Sequence, residues 1–350
     1  MVIETNITKM FRIKHPVLNA PMGPFYTTKL ATAVSEAGGL GILSHITLHE
    51  IVSLDGIQQS MEYIVEHTDK PFGFNIRTAR LQPDAVKLCR KLPQFIMNNP
   101  KIKEQCVLLI TSAGSPRLIY NKYFEKLKES GSDIKHYHVT PTLKMAEKVI
   151  QMGVDGVMAA GGEGGGHQSY NNISTIILLQ QIIKRFPDLP IIASGGFATG
   201  EGLAAAITMG AGAIAMGTRF IATKECEFHD NYKNLVTKSD ATDTELKTSI
   251  FGPARVYKNK KSSNQELVQN KEEKKSGEIS ITELEKETQD LEKTYQGNVD
   301  EGIVYIGQSI GLVNRVETVS EIINSIVDDA EKCLKAAYNS IKKISIAQMY

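Results

Sequence analysis

The sequence is poor in the features that would place it in several large functional classes. Its four cysteines, Cys89, Cys106, Cys226 and Cys333, are widely separated in 350 residues and form no CxxC pair. That spacing argues against a zinc knuckle or a disulfide framework and suits a reducing compartment. Net charge is only +1 at pH 7, so no basic field points to nucleic acid and no acidic field to a polycation. No apolar run reaches the length of a bilayer, and the opening MVIETNITKMFRIKHP lacks the uninterrupted apolar core of a secretory signal. The chain is therefore expected in the cytoplasm, without membrane or nucleic-acid partners. At 41% hydrophobic and 23% charged, it is long enough for one large domain or for a barrel with an appendage.

What is present is an alternation of short apolar runs with helical patterns. Strands are expected at 16–20, 40–43, 71–76, 105–110, 134–139, 155–160, 190–193 and 213–216, with helices expected at 30–37, 57–65, 83–97, 118–129, 143–152, 173–186 and 201–209. Strands that read as continuous apolar runs, each followed by a helix or by a segment that could hold one, imply a parallel sheet covered on both faces. Eight such units imply closure into an α/β (β/α)8 TIM barrel. A doubly wound open sheet is the alternative. The alternation stops after Phe220. Residues 258–293 are strongly charged and include KNKK and KEEKK, a pattern expected of solvated helix faces or loops rather than a binding patch. This divides the chain into a barrel at 1–223, a small, mainly helical insertion or cap at 224–301, and a return at 302–350. The return holds the glycine-punctuated GIVYIGQSIGLV and an amphipathic closing helix at 319–337.

The stretch DGVMAAGGEGGGHQ, from Asp155 to Gln168, concentrates the signals for a site. Five glycines between Gly161 and Gly166 are interrupted only by Glu163, directly after a strand pattern, and the run delivers one imidazole, His167. Glycines lose more backbone entropy on ordering than other residues, so a run of them needs a return such as close approach to a flat or anionic ligand. A surface loop with an incidental histidine is the plainer reading of this stretch alone. Two further strand ends, IASGGF and AMGTRF, carry glycines where a strand finishes. The backbone N–H groups at Gly195, Gly196 and Gly217, with the hydroxyls of Ser194 and Thr218, could cradle a phosphate there. His45, His136, His138 and His229 show no ligand-like pairing with carboxylates or cysteines, so no metal site is expected. Of these, His45 lies nearest the expected pocket end of a strand.

Three blocks, GVDGVMAAGGEGGGHQ, PIIASGGFATGEGLAAAITMGAGAIAMGTRFIATKE and GIVYIGQSIGLV, carry a family resemblance. Together with HPVLNAPMG at His15 they resemble, in order and over nearly the whole chain, the flavin mononucleotide enzymes of the nitronate monooxygenase (2-nitropropane dioxygenase) family. Enoyl-acyl-carrier-protein reductase II and some NAD(P)H:quinone reductases are similar over the same blocks. The resemblance implies FMN as cofactor and His167, at the end of an E-x-G-G-H motif that starts at Glu163, as catalytic base. It implies that the flavin phosphate is held at Ser194, Gly195 and Gly196 and at Met216, Gly217 and Thr218. Met22 and Asn75 would approach the isoalloxazine ring, and Ala160 and Gly165 would contact the cofactor through backbone. Two positions depart from the family pattern: Ala160 lacks a polar side chain common there, and Gly164 replaces Ala or Cys.

The resemblance implies the oxidation of alkyl nitronates by O2 to a carbonyl compound and nitrite. An imidazole, which titrates near neutrality, can take a proton from the carbon beside a nitro group. The alternative is a flavin reductase that draws hydride from NAD(P)H and acts on an enoyl thioester or a quinone; FGPARVYKN and GQSIGL resemble that branch equally. A barrel that only stores or senses flavin is disfavoured by the loop imidazole. A homodimer is compatible with either enzyme.

Overall fold

The computed structural model describes residues 3–47, 53–80, 82–267 and 281–341. Eight parallel strands form one sheet: β1 (Val17–Asn19), β2 (Gly41–Leu43), β3 (Phe72–Arg77), β4 (Cys106–Ser112), β5 (Lys135–Thr140), β6 (Gly156–Ala160), β8 (Ile191–Ser194) and β9 (Ala213–Met216). Their order, β1-β9-β8-β6-β5-β4-β3-β2, leaves β1 and β2 at the two edges. A bridge between Leu18 and Leu40 brings those edges together. The buried carboxamide of Asn19 then spans the seam, donating to the Ile42 carbonyl at 2.8 Å and accepting from the Ile42 N–H at 2.8 Å. A side chain thus supplies the pair of hydrogen bonds that a longer strand would have made, and the sheet is a TIM barrel with helices between its strands.

Side chains alternate across each strand and sort into two layers. The lower interior holds bulky groups, among them Leu18, Ile42, Leu108, Ile110, Tyr137, Met158 and Ile192. The helix Asn6–Phe11 plugs that end, with Ile7 and Phe11 fully buried and the Phe11 ring 5.7 Å from Tyr137. One step further along the strands the inward positions are small or polar: Ala20, Asn75, Ser112, Ala160, Ser194 and Ala215. The barrel is therefore filled below and hollow above, at the carboxyl ends of its strands.

All eight expected strands form, with bounds shifted by a residue or two, and the expected helices form between them. Among the elements not expected from the sequence are the plug helix, a short helix at Pro100–Gln105, and an antiparallel hairpin. The hairpin pairs β10 (Thr244–Ser249) with β11 (Gly252–Tyr257) inside the segment after β9. That segment otherwise holds helices at Asp230–Lys238, Lys260–Ser263 and Ile281–Tyr295. β11 also pairs with β7 (Gly166–His167), matching Ala254 to His167 and Arg255 to Gly166. The KEEKK run lies outside the described residues. Residues 302–313 come back over the barrel mouth, and the helix Val319–Asn339 packs on the helix Gly200–Met209. A Cβ on Gly200 would lie 2.5 Å from the Asp329 Cβ, so the two helices touch at backbone distance.

Candidate active site

The hollow upper layer opens into a cavity of about 360 Å³, within the range of cofactor and small-molecule sites. Every residue expected to hold the cofactor or act as base lines it: Met22, Asn75, Ala160, Gly165, His167, Ser194, Gly195, Gly196, Met216, Gly217 and Thr218.

One wall is built from amides. After β8 the chain turns through Gly195 and Gly196 at φ of 93° and 85°, a left-handed conformation that other residues adopt only with strain. After β9 it turns through Gly217 against the Met22 sulfur. Among the described residues, no backbone carbonyl accepts from the N–H groups of Gly195, Gly196, Gly217 or Thr218. The Thr218 hydroxyl accepts from the Gly307 N–H at 3.0 Å, so its own hydrogen is available to donate. These donors suit the phosphate of a flavin mononucleotide, and the space beside them suits its rings.

The glycine run is held from behind. The Glu163 carboxylate accepts from the Thr175 N–H at 2.9 Å and from its hydroxyl at 2.8 Å, at the start of the helix Thr175–Arg185. Arg255 donates to the Gly162 carbonyl at 2.8 Å, and the Gln308 N–H donates to the Glu163 carbonyl at 2.8 Å. The run is a braced ledge, not a loose loop, and it ends in β7 with His167 turned to the cavity.

His167 packs edge-on to Phe251, with centroids 5.2 Å apart, and tilted against Tyr305 at 5.4 Å. Its Nε2 lies 3.0 Å from the Ser249 hydroxyl, which donates to Glu287 Oε1 at 2.7 Å. The Ile250 N–H donates to Glu287 Oε2 at 2.7 Å, and the Tyr305 hydroxyl donates to Oε1 at 3.3 Å. Ser249, Ile250 and Phe251 come from the hairpin, and Glu287 from the helix Ile281–Tyr295. The charged segment expected to face solvent therefore delivers a carboxylate whose side chain is 12% exposed to the rim of the cavity.

Asn75 is tied to β4, donating to the Ile110 carbonyl at 2.9 Å and to the Ser112 hydroxyl at 3.2 Å. Two places on it, Arg77 also lines the cavity and was not singled out in the sequence. Its Nη2 donates to the Thr47 hydroxyl at 2.6 Å, while among the described residues its buried Nε has no acceptor. Burial pushes this guanidinium below its ordinary range, against the pull of Tyr305, Asp84 and Glu287.

Two of the other histidines, His45 and His138, sit differently from their sequence reading, and His136 is the core residue expected. His45 does pair with a carboxylate: its Nε2 lies 3.1 Å from Asp84, and its Nδ1 accepts from the Arg77 N–H at 2.9 Å. It is fully buried and is a strut under β3, outside the cavity lining. His138 does line the cavity, and Thr111 joins it to His136, with its hydroxyl 2.7 Å from His138 Nδ1 and 2.8 Å from His136 Nε2. Burial lowers the His138 imidazole to about 4, with the Gly114 backbone opposing. Burial, then His138 and Lys128, lower His136 to about 3.

The sequence profile of the family described as Nitronate monooxygenase matches residues 4–329. The chain is 29% identical to the (3aS,4S,5R,7aS)-5-hydroxy-7a-methyl-1-oxo-octahydro-1H-indene-4-carboxyl-CoA dehydrogenase of Rhodococcus jostii, over 95% of this chain and 98% of that one. It is 28% identical to a probable nitronate monooxygenase of Staphylococcus saprophyticus, over 74% and 80% of the two chains. Among solved structures, FabK from Thermotoga maritima is 30% identical, superposes with a TM-score of 0.80, and is covered over 97% of this chain and 100% of its own.

Proposed function

Because this chain belongs to the nitronate monooxygenase family of FMN-dependent oxidoreductases, we propose that it oxidises alkyl nitronates with O2, His167 serving as base at the carbon that bears the nitro group. Two nitronate ions and one O2 then give two carbonyl compounds and two nitrite ions, which balances atoms and charge. The observation that carries this reading is the joint placement of His167 and the amide wall on one cavity. When bound there, FMN supplies the electron-accepting ring and its reactivity toward O2. The amides of Gly195, Gly196, Gly217 and Thr218 and the hydroxyls of Ser194 and Thr218 would hold the phosphate. Met22, Asn75, Ala160, Gly165 and Met216 would flank the remainder.

The chain's own groups account for the substrate's needs. His167 takes the α-proton of a neutral nitroalkane or orients an anion already formed. Arg77, whose Nε lacks an acceptor among the described residues, offers a fixed cation to the oxygens of that anion. Phe251, Tyr305 and Phe228 on the cavity wall limit the access of water.

A second reading draws support from the likeness of this chain to the Rhodococcus dehydrogenase and to FabK over almost their whole lengths. In that reading the substrate is an acyl thioester, His167 moves the proton at the carbon beside its carbonyl, and NAD(P)H or NAD(P)+ is the second substrate. Anaerobic mixing of the flavin-loaded protein with NADH or NADPH separates the two. A nitronate monooxygenase leaves the flavin oxidised with either nucleotide and consumes O2 with a nitronate. Rapid bleaching by a nicotinamide, with no O2 uptake on nitronate, would sink the first reading.

A further inference from the structure

The turn after β9 has the segment that returns over the mouth fastened along it. Residues 218–225 and 307–319 lie side by side and are joined at both ends. At the cavity end the Gly307 N–H donates to the Thr218 hydroxyl at 3.0 Å. At the far end the Glu317 N–H donates to the Ala222 carbonyl at 3.3 Å, and the Lys224 N–H donates to the Glu317 carbonyl at 3.0 Å. The Val319 N–H then donates to the Glu225 carboxylate at 3.1 Å. Between the two ends Arg219 forms an ion pair with Glu317, whose other carboxylate oxygen accepts from Arg315 at 2.7 Å.

The ion pair is the part of this seam that backbone pairing does not explain. The Arg219 and Glu317 side chains are 10% and 14% exposed, and a charge withdrawn that far from water needs its partner. Arg219 has Glu317 on Nη2 and, among the described residues, nothing on its buried Nη1. Burial pulls the guanidinium below its ordinary range, and Glu317 is the main counterweight. Thr218 lines the cavity and Arg219 does not, so the pair acts through the neighbouring residue. With Arg219 drawn to Glu317, Thr218 is held where the Gly307 N–H meets its oxygen. A hydroxyl that accepts through a lone pair keeps its one hydrogen for donation.

We propose that Arg219 and Glu317 are positioning residues for the flavin phosphate: their ion pair holds residues 307–317 against the turn after β9, so that the Gly307 N–H aims the Thr218 hydroxyl at the phosphate. Neither charge touches the cofactor, and no proton or electron moves through the pair. The grip on the phosphate then depends on a carboxylate 98 positions further along the chain than the arginine it meets. Seating the returning segment and closing the phosphate site become one structural event. The proposal rests on the turns after β8 and β9 being the phosphate site.

The test compares FMN with riboflavin, which has the same rings and no phosphate. The full chain is titrated with each, and flavin fluorescence gives two Kd values whose ratio, riboflavin over FMN, measures what the phosphate adds. A loss of stability alone weakens both flavins and leaves the ratio in place. The variants are Thr218→Val, Glu317→Gln, these two together, and Arg219→Met with Glu317→Leu, which replaces the pair by apolar groups of similar size. Thr218→Val should lower the ratio about tenfold, the scale of one hydrogen bond to a charged group. Glu317→Gln and the apolar pair should each lower it about threefold to tenfold. Adding Glu317→Gln to Thr218→Val should lower it no further, because both act through one hydroxyl. A ratio unmoved by either change at the pair, or lowered additively with Thr218→Val, overturns the proposal and leaves the phosphate site standing. A natural ratio near one, or a ratio that Thr218→Val does not move, removes the phosphate site read at Thr218 and the proposal with it. If Glu317→Gln does not fold, the apolar pair decides alone.

Discussion

Gly165 and Gly307 cross at backbone distance. A Cβ on Gly165 would lie 2.6 Å from the Ile306 carbonyl carbon and 2.8 Å from the Gly307 nitrogen, and a Cβ on Gly307 would lie 2.8 Å from the Glu163 oxygen. The ledge that carries His167 and the segment that returns over the mouth are thus locked together where neither tolerates a side chain.

Gly307→Ala should therefore force one of the two segments to shift. Overpacking of this kind costs about 1–3 kcal/mol, and here the shift would fall next to Thr218, which accepts from the Gly307 N–H. Thermal melts of the flavin-loaded protein and the fraction of flavin retained on gel filtration should both drop. Natural values for both would mean that the crossing is looser than its geometry.

His167→Asn should separate two substrates of the same nitro compound. The neutral nitroalkane needs a base, and losing one lowers kcat/KM by roughly 100-fold or more. The nitronate has already lost that proton and should be affected much less. Steady-state kinetics with each form, mixed fresh, makes the comparison, and equal losses would count against proton abstraction.

Arg77→Met should raise KM for a nitronate by about tenfold, the scale of one lost hydrogen bond to a charged group, and leave binding of the neutral nitroalkane nearly unchanged. Among the described residues the guanidinium is anchored only by Thr47 on Nη2, so the substitution releases few other partners there. Matching effects on both substrates would assign Arg77 to the fold rather than to the anion.

Stability should fall in mild acid. His138 and His136 are held neutral at about 4 and about 3, burial being the largest cause in each, whereas an unfolded histidine titrates near 6.5. As pH drops below about 6.5 the unfolded chain binds protons that the folded chain refuses. The contribution is complete above that value and is lost down to the folded values, on the order of a few kcal/mol in all. Asp84, whose burial is outweighed by bonds from His45, Ser53 and Gln82, is held well below the carboxylate range and enters only at lower pH. Urea midpoints measured between pH 7.5 and 4.5 should therefore decline, and His136→Gln should flatten the decline. A flat natural profile would contradict the burial of these rings.

Most of the barrel was legible because its strands are fully buried apolar runs, a pattern few other structures share. The turns after β8 were legible as turns because Gly195 and Gly196 take backbone conformations that other residues avoid, and that need is written in composition. The hairpin was not: TELKTS alternates weakly, and GPARVY begins with two residues that usually interrupt strands. β7 is a strand only because β11 recruits it from a glycine run. Glu287 was hidden by the charges around it, although its place in the stripe with Leu284 and Leu291 is a signal that could have been found. His138 shares a face of β5 with His136 in KHYHVT, and spacing alone cannot tell a cavity wall from the layer behind it. Arg77 follows Asn75 at the period of a strand, and that step, taken from one expected cavity residue, would have reached it.

Since β7 is stitched to β11 and only follows β6 in the chain, His167 travels with the hairpin. A chimera that keeps these staves and imports a relative's segment after β9 would inherit a foreign cradle for its own histidine, and reactivity would follow the donor of that segment. Library mutagenesis confined to the Ile250–Phe251 turn and to Glu287 could accordingly change how His167 is seated while the eight-stranded scaffold stays untouched.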